Sequence, residues 1–437
     1  MKKLVEGNEL QSRIPEYRGA NTMPVVRLQH GLVLDEQNCW YQPTLLLGNM
    51  GSGKTTIIQQ CMDTILKYAD ESCDNVVIFC AKPDMLRYAR PQDPIISIRS
   101  EDPDSQWNAF LETDNDEDAE IVFREIATDL FAESREKTMQ IFFPRAGEDI
   151  FFQTFMHLYE YSKRTGFPVS NGDLKDFIIS TPIWGNDEVP GWTDLPNLYP
   201  RFLMVRDYLG EGGPQGQGVL SEVHMILNSI FIGGFAARGG RFSARKALQK
   251  GGARIFLYYD YANSGHSTLA VFRILLDLLL KQGMRTDNIH KTWFFLDEAS
   301  LLPKSKVLPD ALSFGRDPGA NDRGGVRIIM ALQSAKLMTN NYTVQEAEVL
   351  LSLFPNVIAL RVADSLSRKI ISDRYGKARY QYSYAGVGDR IHYVDSLEDV
   401  VSDYHFSKLV QKGQAIISMP GISENPFFYD GYMPGIC

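Results

Sequence analysis

At 437 residues the chain exceeds the length at which one hydrophobic core usually stops growing, so two or more packed units are expected. A hydrophobic share of 44% and a charged share of 23% are those of a soluble globular protein and exclude a mainly disordered or low-complexity chain. The net charge of -9 excludes a surface uniformly coated in nucleic acid, because non-specific affinity comes from Lys and Arg neutralising phosphates; any such contact must be local.

The N-terminal stretch MKKLVEGNELQSRIPEYRG lacks the apolar centre of a signal peptide, and no stretch reaches the roughly 18 uninterrupted apolar residues that a spanning helix needs. A soluble chain is expected. Cys39, Cys61, Cys73, Cys80 and Cys437 are scattered, odd in number and without ligand spacing, which fits a reducing cytoplasm better than a disulfide scaffold. Met23 to Val33 suits a short strand pair. Thr44 to Leu47 reads as a buried strand, followed by a glycine-rich turn and a helix in which Ile57, Ile58, Cys61, Ile65 and Leu66 recur at helical spacing. Asn75 to Cys80 is a second buried strand, and this alternation predicts an α/β unit with a parallel sheet.

From 102 to 250 the pattern changes to long helical periodicities separated by polar, Trp- and Pro-containing loops, which predicts an inserted α-rich domain. Strand signals resume at Arg254 to Tyr261 and recur at Thr292 to Leu296, Val326 to Leu332 and Asn356 to Leu360. The expected organisation is a nucleotide-binding domain begun in 1–101 and completed in 251–437, interrupted by 102–250.

Gly48-Asn49-Met50-Gly51-Ser52-Gly53-Lys54-Thr55, with Thr56 following, fits G-x-x-x-x-G-K-[ST] between an apolar strand and a helix, the context that gives this motif meaning. Its glycines let successive backbone N–H groups turn inward around phosphate oxygens, Lys54 reaches toward the β and γ phosphates, and the Thr55 hydroxyl suits Mg²⁺. ATP and Mg²⁺ are the ligands this predicts. Trp293 to Leu296 is an apolar strand ending in Asp297 and Glu298. Alone, such a pair marks a strand meeting solvent; beside a P-loop, Asp297 suits the Mg²⁺ shell and Glu298 suits a general base for the attacking water. Gln333, closing VRIIMAL, is a candidate sensor of the γ phosphate. Arg316 in SFGRDPG is a candidate arginine finger acting on a neighbouring subunit's nucleotide, and Arg323 competes for that role. Basic and aromatic groups at Arg87, Tyr88, Arg90, Arg238, Arg241, Arg245 and Lys246 are candidate phosphate contacts, though such clusters are more often solvated faces.

In this order, these pieces resemble the TraG/TraD/VirD4-like coupling proteins of conjugation and type IV secretion, within the wider FtsK and HerA-like translocases. The likeness runs from Thr44 to about Pro420 and includes DSQWNAF (Asp104 to Phe110), FSARKALQKGGARIFL, LDEASLLPKSKVLPDALSFGRDPG, GGVRIIMALQS, LFPNVIALRVADSLSRKIISDRYG and LVQKGQAII. It implies a RecA-like P-loop NTPase core with a mainly parallel sheet and an inserted all-α domain, assembling as a homo-hexamer around a DNA channel. It also implies a partnership with a relaxase or secretion ATPases, and it carries the roles above to Lys54, Thr55, Asp297, Glu298, Gln333 and Arg316. Family members usually begin with a transmembrane anchor; its absence here implies a separate membrane partner, or a shortened chain, and recruitment to the inner face of the membrane. The alternatives are a nucleotide-switched substrate receptor without processive movement, or another translocase of the superfamily.

Overall fold

The computed structural model describes residues 2–17, 19–113, 115–316, 324–385 and 391–431. The chain folds into two compact units: Met1–Cys80 with Gly251–Ala253 and Gly283–Cys437, and Ala81–Lys250 with Arg254–Gln282.

In the first unit, strands Asn356–Ala359, Thr44–Leu47, Val326–Leu332, Thr292–Leu296 and Asn75–Cys80 lie side by side in that order, all parallel. Gln414–Ser418 pairs antiparallel beyond Asn356–Ala359, and Phe427–Asp430 pairs antiparallel beyond that. The central strands are near-continuous apolar runs because they are buried on both faces, as the unbroken burial of TLLL, NVVIFC and TWFFL shows. Helix Lys54–Ser72 turns Ile57, Ile58, Cys61, Met62, Ile65 and Leu66 inward. Ahead of the first core strand, Val26–Arg27 pairs with Val33–Leu34, the short pair the sequence suggests. A separate antiparallel sheet joins Lys2–Glu6 to Lys377–Ala385, and that strand to Ile391–Asp399.

VRIIMAL carries a charge inside its apolar run. Arg327 is 4% exposed and holds Glu36 at 2.8 Å, and Lys291 meets the same carboxylate at 3.0 Å. A buried guanidinium survives in a strand only when a carboxylate is supplied to it, here from the segment preceding the core strand.

The second unit is mainly helical, with Asp116–Leu130, Phe142–Thr165, Asn171–Ser180 and Pro214–Ile230 as its longer inserted helices. Phe123 and Phe155 stack in its core, with Phe110 edge-on to both and Tyr159 edge-on to Phe123. It also contains a short parallel pair, Ile95–Ile96 with Arg254–Tyr258. The DSQWNAF segment acts here as a structural knot. The Asn108 amide donates to the carbonyls of Val169 and Gly240, and the Asn171 amide donates to those of Trp107 and Phe235. Glu112 is fully buried and accepts from Trp107 Nε1, Ser243 Oγ and the backbone N–H groups of Ala244 and Arg245.

Candidate active site

The parallel strands of the first unit end on one edge, and the glycine loop, Asp297, Glu298 and Gln333 cluster there. The glycine loop follows Thr44–Leu47 and is pinned from both sides. Gly48 N–H donates to Leu332 O at 3.1 Å, and Asn49 N–H donates to Arg361 O at 2.8 Å. Behind it, Gly413 N–H donates to Ser52 O at 2.9 Å. Gly53 has φ +111°, and a Cβ there would lie 3.2 Å from the Gly413 nitrogen, so position 53 excludes a side chain both by conformation and by space. A Cβ on Gly48 would meet Ser52 Oγ at 2.7 Å and Leu360 Cβ at 2.8 Å.

The loop opens helix Lys54–Ser72, whose first turn holds no acidic residue and whose N-terminus no side chain caps. Its leading N–H groups and dipole therefore favour an anion. Lys54 is buried and its ammonium bends back onto the carbonyls of Gly48 and, at 3.2 Å, Asn49. Ser52 Oγ is buried and without a hydrogen-bond partner among the described residues. A tight cradle, a buried ammonium resting on loop carbonyls and an unsatisfied hydroxyl are the donor set that a nucleotide's phosphate chain fits. Thr55 and Thr56 are half-buried, and Met50 is exposed.

Asp297 and Glu298 follow Thr292–Leu296, which is separated from Thr44–Leu47 by the single strand Val326–Leu332. The acidic pair thus stands two strand spacings, about 10 Å, from the glycine loop's strand. Asp297 is buried, and its N–H donates to Phe79 O at 2.9 Å. Glu298 takes the left-handed conformation (φ 65°, ψ 50°), and one carboxylate oxygen accepts from Ser300 Oγ at 2.6 Å. A left-handed non-glycine residue stores strain, of the kind that concentrates at functional sites. Gln333 follows the intervening strand, directly between loop and acidic pair. It lines an open cleft of about 420 Å³ together with Asn49, Met50, Ser334, Lys336 and Asn340. Ser334 is committed to capping the short helix Ala335–Met338.

Arg316 is not brought to this edge. Gly315 O accepts from Val326 N–H, at the amino end of the strand whose carboxyl end carries Gln333. The strand's length, roughly 20 Å, separates Arg316 from its own glycine loop. Arg316 is exposed, lies over the Tyr41 ring at 5.6 Å, and lends its carbonyl to Arg327. Arg323 and the rest of 317–323 lie outside the described residues, as does Cys437. The surface arginines resolve mainly into internal pairs: Arg90 with Asp93, Arg238 with Asp176, Arg241 with Asp104, and Arg245 with the Glu112 carbonyl.

Composition and motif reasoning did not assign roles to Arg361, Ala363 or Gly413, whose backbones hold the loop, nor to Ser300 and Lys336. Apart from the φ that glycine allows at 413, backbone contacts from sequence-distant turns leave no side-chain signature.

A parallel sheet carrying a glycine loop, an acidic pair two strands away and a polar residue on the strand between them defines a RecA-like P-loop NTPase fold. A family model described as the type IV secretion-system coupling protein DNA-binding domain matches residues 29–175 and 217–389, and the chain belongs to that family. Among solved structures, the bacterial conjugative coupling protein TrwB in unbound form is similar at 18% identity, over 97% of this chain and 92% of that one, with a TM-score of 0.71. TrwB in complex with ADP and Mg²⁺ aligns over 99% and 95% at 18% identity, TM-score 0.72. VirB4 of Thermoanaerobacter pseudethanolicus aligns over 96% and 98% at 12% identity, TM-score 0.54. These likenesses speak for the fold. No curated protein matches the sequence.

Proposed function

We propose that this protein binds ATP with Mg²⁺ and hydrolyses it as a homo-hexameric coupling protein that moves DNA, delivered with a relaxase, toward a type IV secretion channel. The observation that carries the reading is the convergence at one sheet edge of the glycine loop, Lys54, Asp297, Glu298 and Gln333. TrwB, of the same fold, has been solved with ADP and Mg²⁺ and with the ATP analogue ADPNP, which supports the nucleotide assignment.

In this mechanism the loop's N–H groups and Lys54 bind the phosphate chain. Thr55 and Asp297 would hold Mg²⁺, which would supply charge neutralisation to the phosphate chain. Glu298 accepts the proton of the attacking water, and Gln333 orients that water or the γ phosphate. Arg316 serves only a neighbouring copy's nucleotide, because its own lies a strand's length away. Residues 102–250 form the inserted domain that receives the cargo. Among the described residues no helix is long and apolar enough to cross a membrane.

The test is ATP turnover by the wild type and Glu298→Gln, with and without single- and double-stranded DNA, alongside sedimentation. DNA-stimulated turnover that the variant loses, together with nucleotide-dependent rings, is the expected result. DNA-insensitive turnover by a monomer would replace the motor with a nucleotide-switched receptor.

A further inference from the structure

The glutamate that ends the acidic pair is held by its own turn. After Leu296 the chain enters a tight turn over Ala299–Leu301, in which Leu301 N–H donates to Glu298 O at 3.1 Å and Leu302 N–H to Ala299 O at 3.1 Å. That turn forces Glu298 into the left-handed region, where a residue with a Cβ persists only if its surroundings over-determine it. Ser300 closes the arrangement: its buried hydroxyl donates to Glu298 Oε1 at 2.6 Å, leaving Oε2 as the oxygen able to take a proton from water. The turn is itself fastened to the segment that follows the cleft lining. The Asn341 amide donates to the carbonyls of Ser300 at 3.3 Å and Leu302 at 3.0 Å, and Asn341 directly follows the cleft-lining residues Thr339 and Asn340.

We infer that Ser300 is a positioning residue for the hydrolytic step, its hydroxyl fixing one oxygen of the Glu298 carboxylate so that the other faces the attacking water. This rests on the ATPase reading above. A carboxylate on a strained backbone with its side chain unrestrained samples several rotamers, and misplacement of about 1 Å in a catalytic group costs as much as 100-fold in rate. The Ser300 hydroxyl acts through Glu298, so its loss changes turnover and leaves nucleotide binding alone.

The experiment measures steady-state ATP turnover of the full chain carrying Ser300→Ala, Ser300→Thr or Ser300→Val, each also combined with Glu298→Gln. Ser300→Ala is expected to lower kcat about 10-fold with KM for ATP unchanged, and Ser300→Thr to restore it to within about two-fold. In the Glu298→Gln background Ser300→Ala is expected to cause no further loss, because the carboxylate it positions is gone. Thr and Val are near-isosteric and differ at this position in the hydroxyl, so their ratio carries the test even if alanine perturbs the turn. Equal kcat for Thr and Val, an unchanged or raised kcat in Ser300→Ala, or an equal loss in the Glu298→Gln background would overturn the inference while the ATPase reading stood. A wild type without turnover that depends on Glu298 would sink that reading first, and the inference with it.

Discussion

At the scale of single residues, the site is a set of groups held in states that suit a ligand better than the free chain. Lys54 illustrates this: its buried ammonium bends back onto the carbonyls of Gly48 and Asn49, at the mouth of the loop where a phosphate offers it a charge-assisted hydrogen bond. Lys54→Ala is expected to abolish measurable nucleotide binding by fluorescent-analogue titration, whereas Glu298→Gln should bind normally and lose turnover by about 100-fold or more. Glu298 also bears a stability cost. Glu298→Gly should relax the left-handed backbone and raise denaturant stability of the first unit by about 1 kcal/mol while abolishing turnover, and no gain in stability would mean that the turn holds no strain there. Away from the site, the Lys304 ammonium hydrogen-bonded to Glu346 holds that carboxyl down at about 2. Because the folded-state value lies below the unfolded one, its contribution is present above the usual glutamate range and is lost as pH falls from about 4.5 toward 2. Glu346→Gln should therefore lower the unfolding midpoint slightly at pH 7, with the difference from wild type shrinking at pH 3.

At the scale of elements, apolar periodicity located the pieces, and charge inside them set how they pack. The strands TLLL, NVVIFC and TWFFL were legible because a strand buried on both faces has no polar face to interrupt its run. Arg327 in VRIIMAL was read as part of an apolar run, since its partner Glu36 lies 291 residues earlier and no local pattern connects them. The second unit holds a comparable buried charge: Arg273, 4% exposed, meets Asp129 at 3.0 Å and Asp277 at 3.6 Å. Removing the cation takes away the guanidinium that both buried carboxylates meet, so Arg273→Met should destabilise this unit by about 3–5 kcal/mol, measured by chemical denaturation followed through its own tryptophans, Trp107, Trp184 and Trp192. The double variant with Asp129→Leu should recover part of that loss; an additive loss would show that the charges do not interact.

At the scale of the whole molecule, the claim that most needs assembly is the role of Arg316. Lys54→Ala and Arg316→Ala should each be inactive alone, yet mixing them should restore a fraction of wild-type turnover, because a mixed ring contains interfaces with an intact loop from one copy and an intact arginine from the next. Absence of any rescue in demonstrably mixed rings would remove Arg316 from the site. What the sequence determined by itself was the motifs: the glycine loop and the acidic pair are contiguous, each tied to a strand end by backbone geometry that local residues dictate, and they are readable in order along the chain. Only the tertiary structure decided the spatial relations. It inserted the Gln333 strand between loop and acidic pair, set Gly413 and Arg361 behind the loop, tethered Glu298 to Ser300, and left Arg316 at the opposite sheet edge. Strand order and backbone-mediated contacts depend on which distant segments hydrogen-bond, and main-chain groups are the same in every residue, so the one-dimensional pattern carries no mark of them.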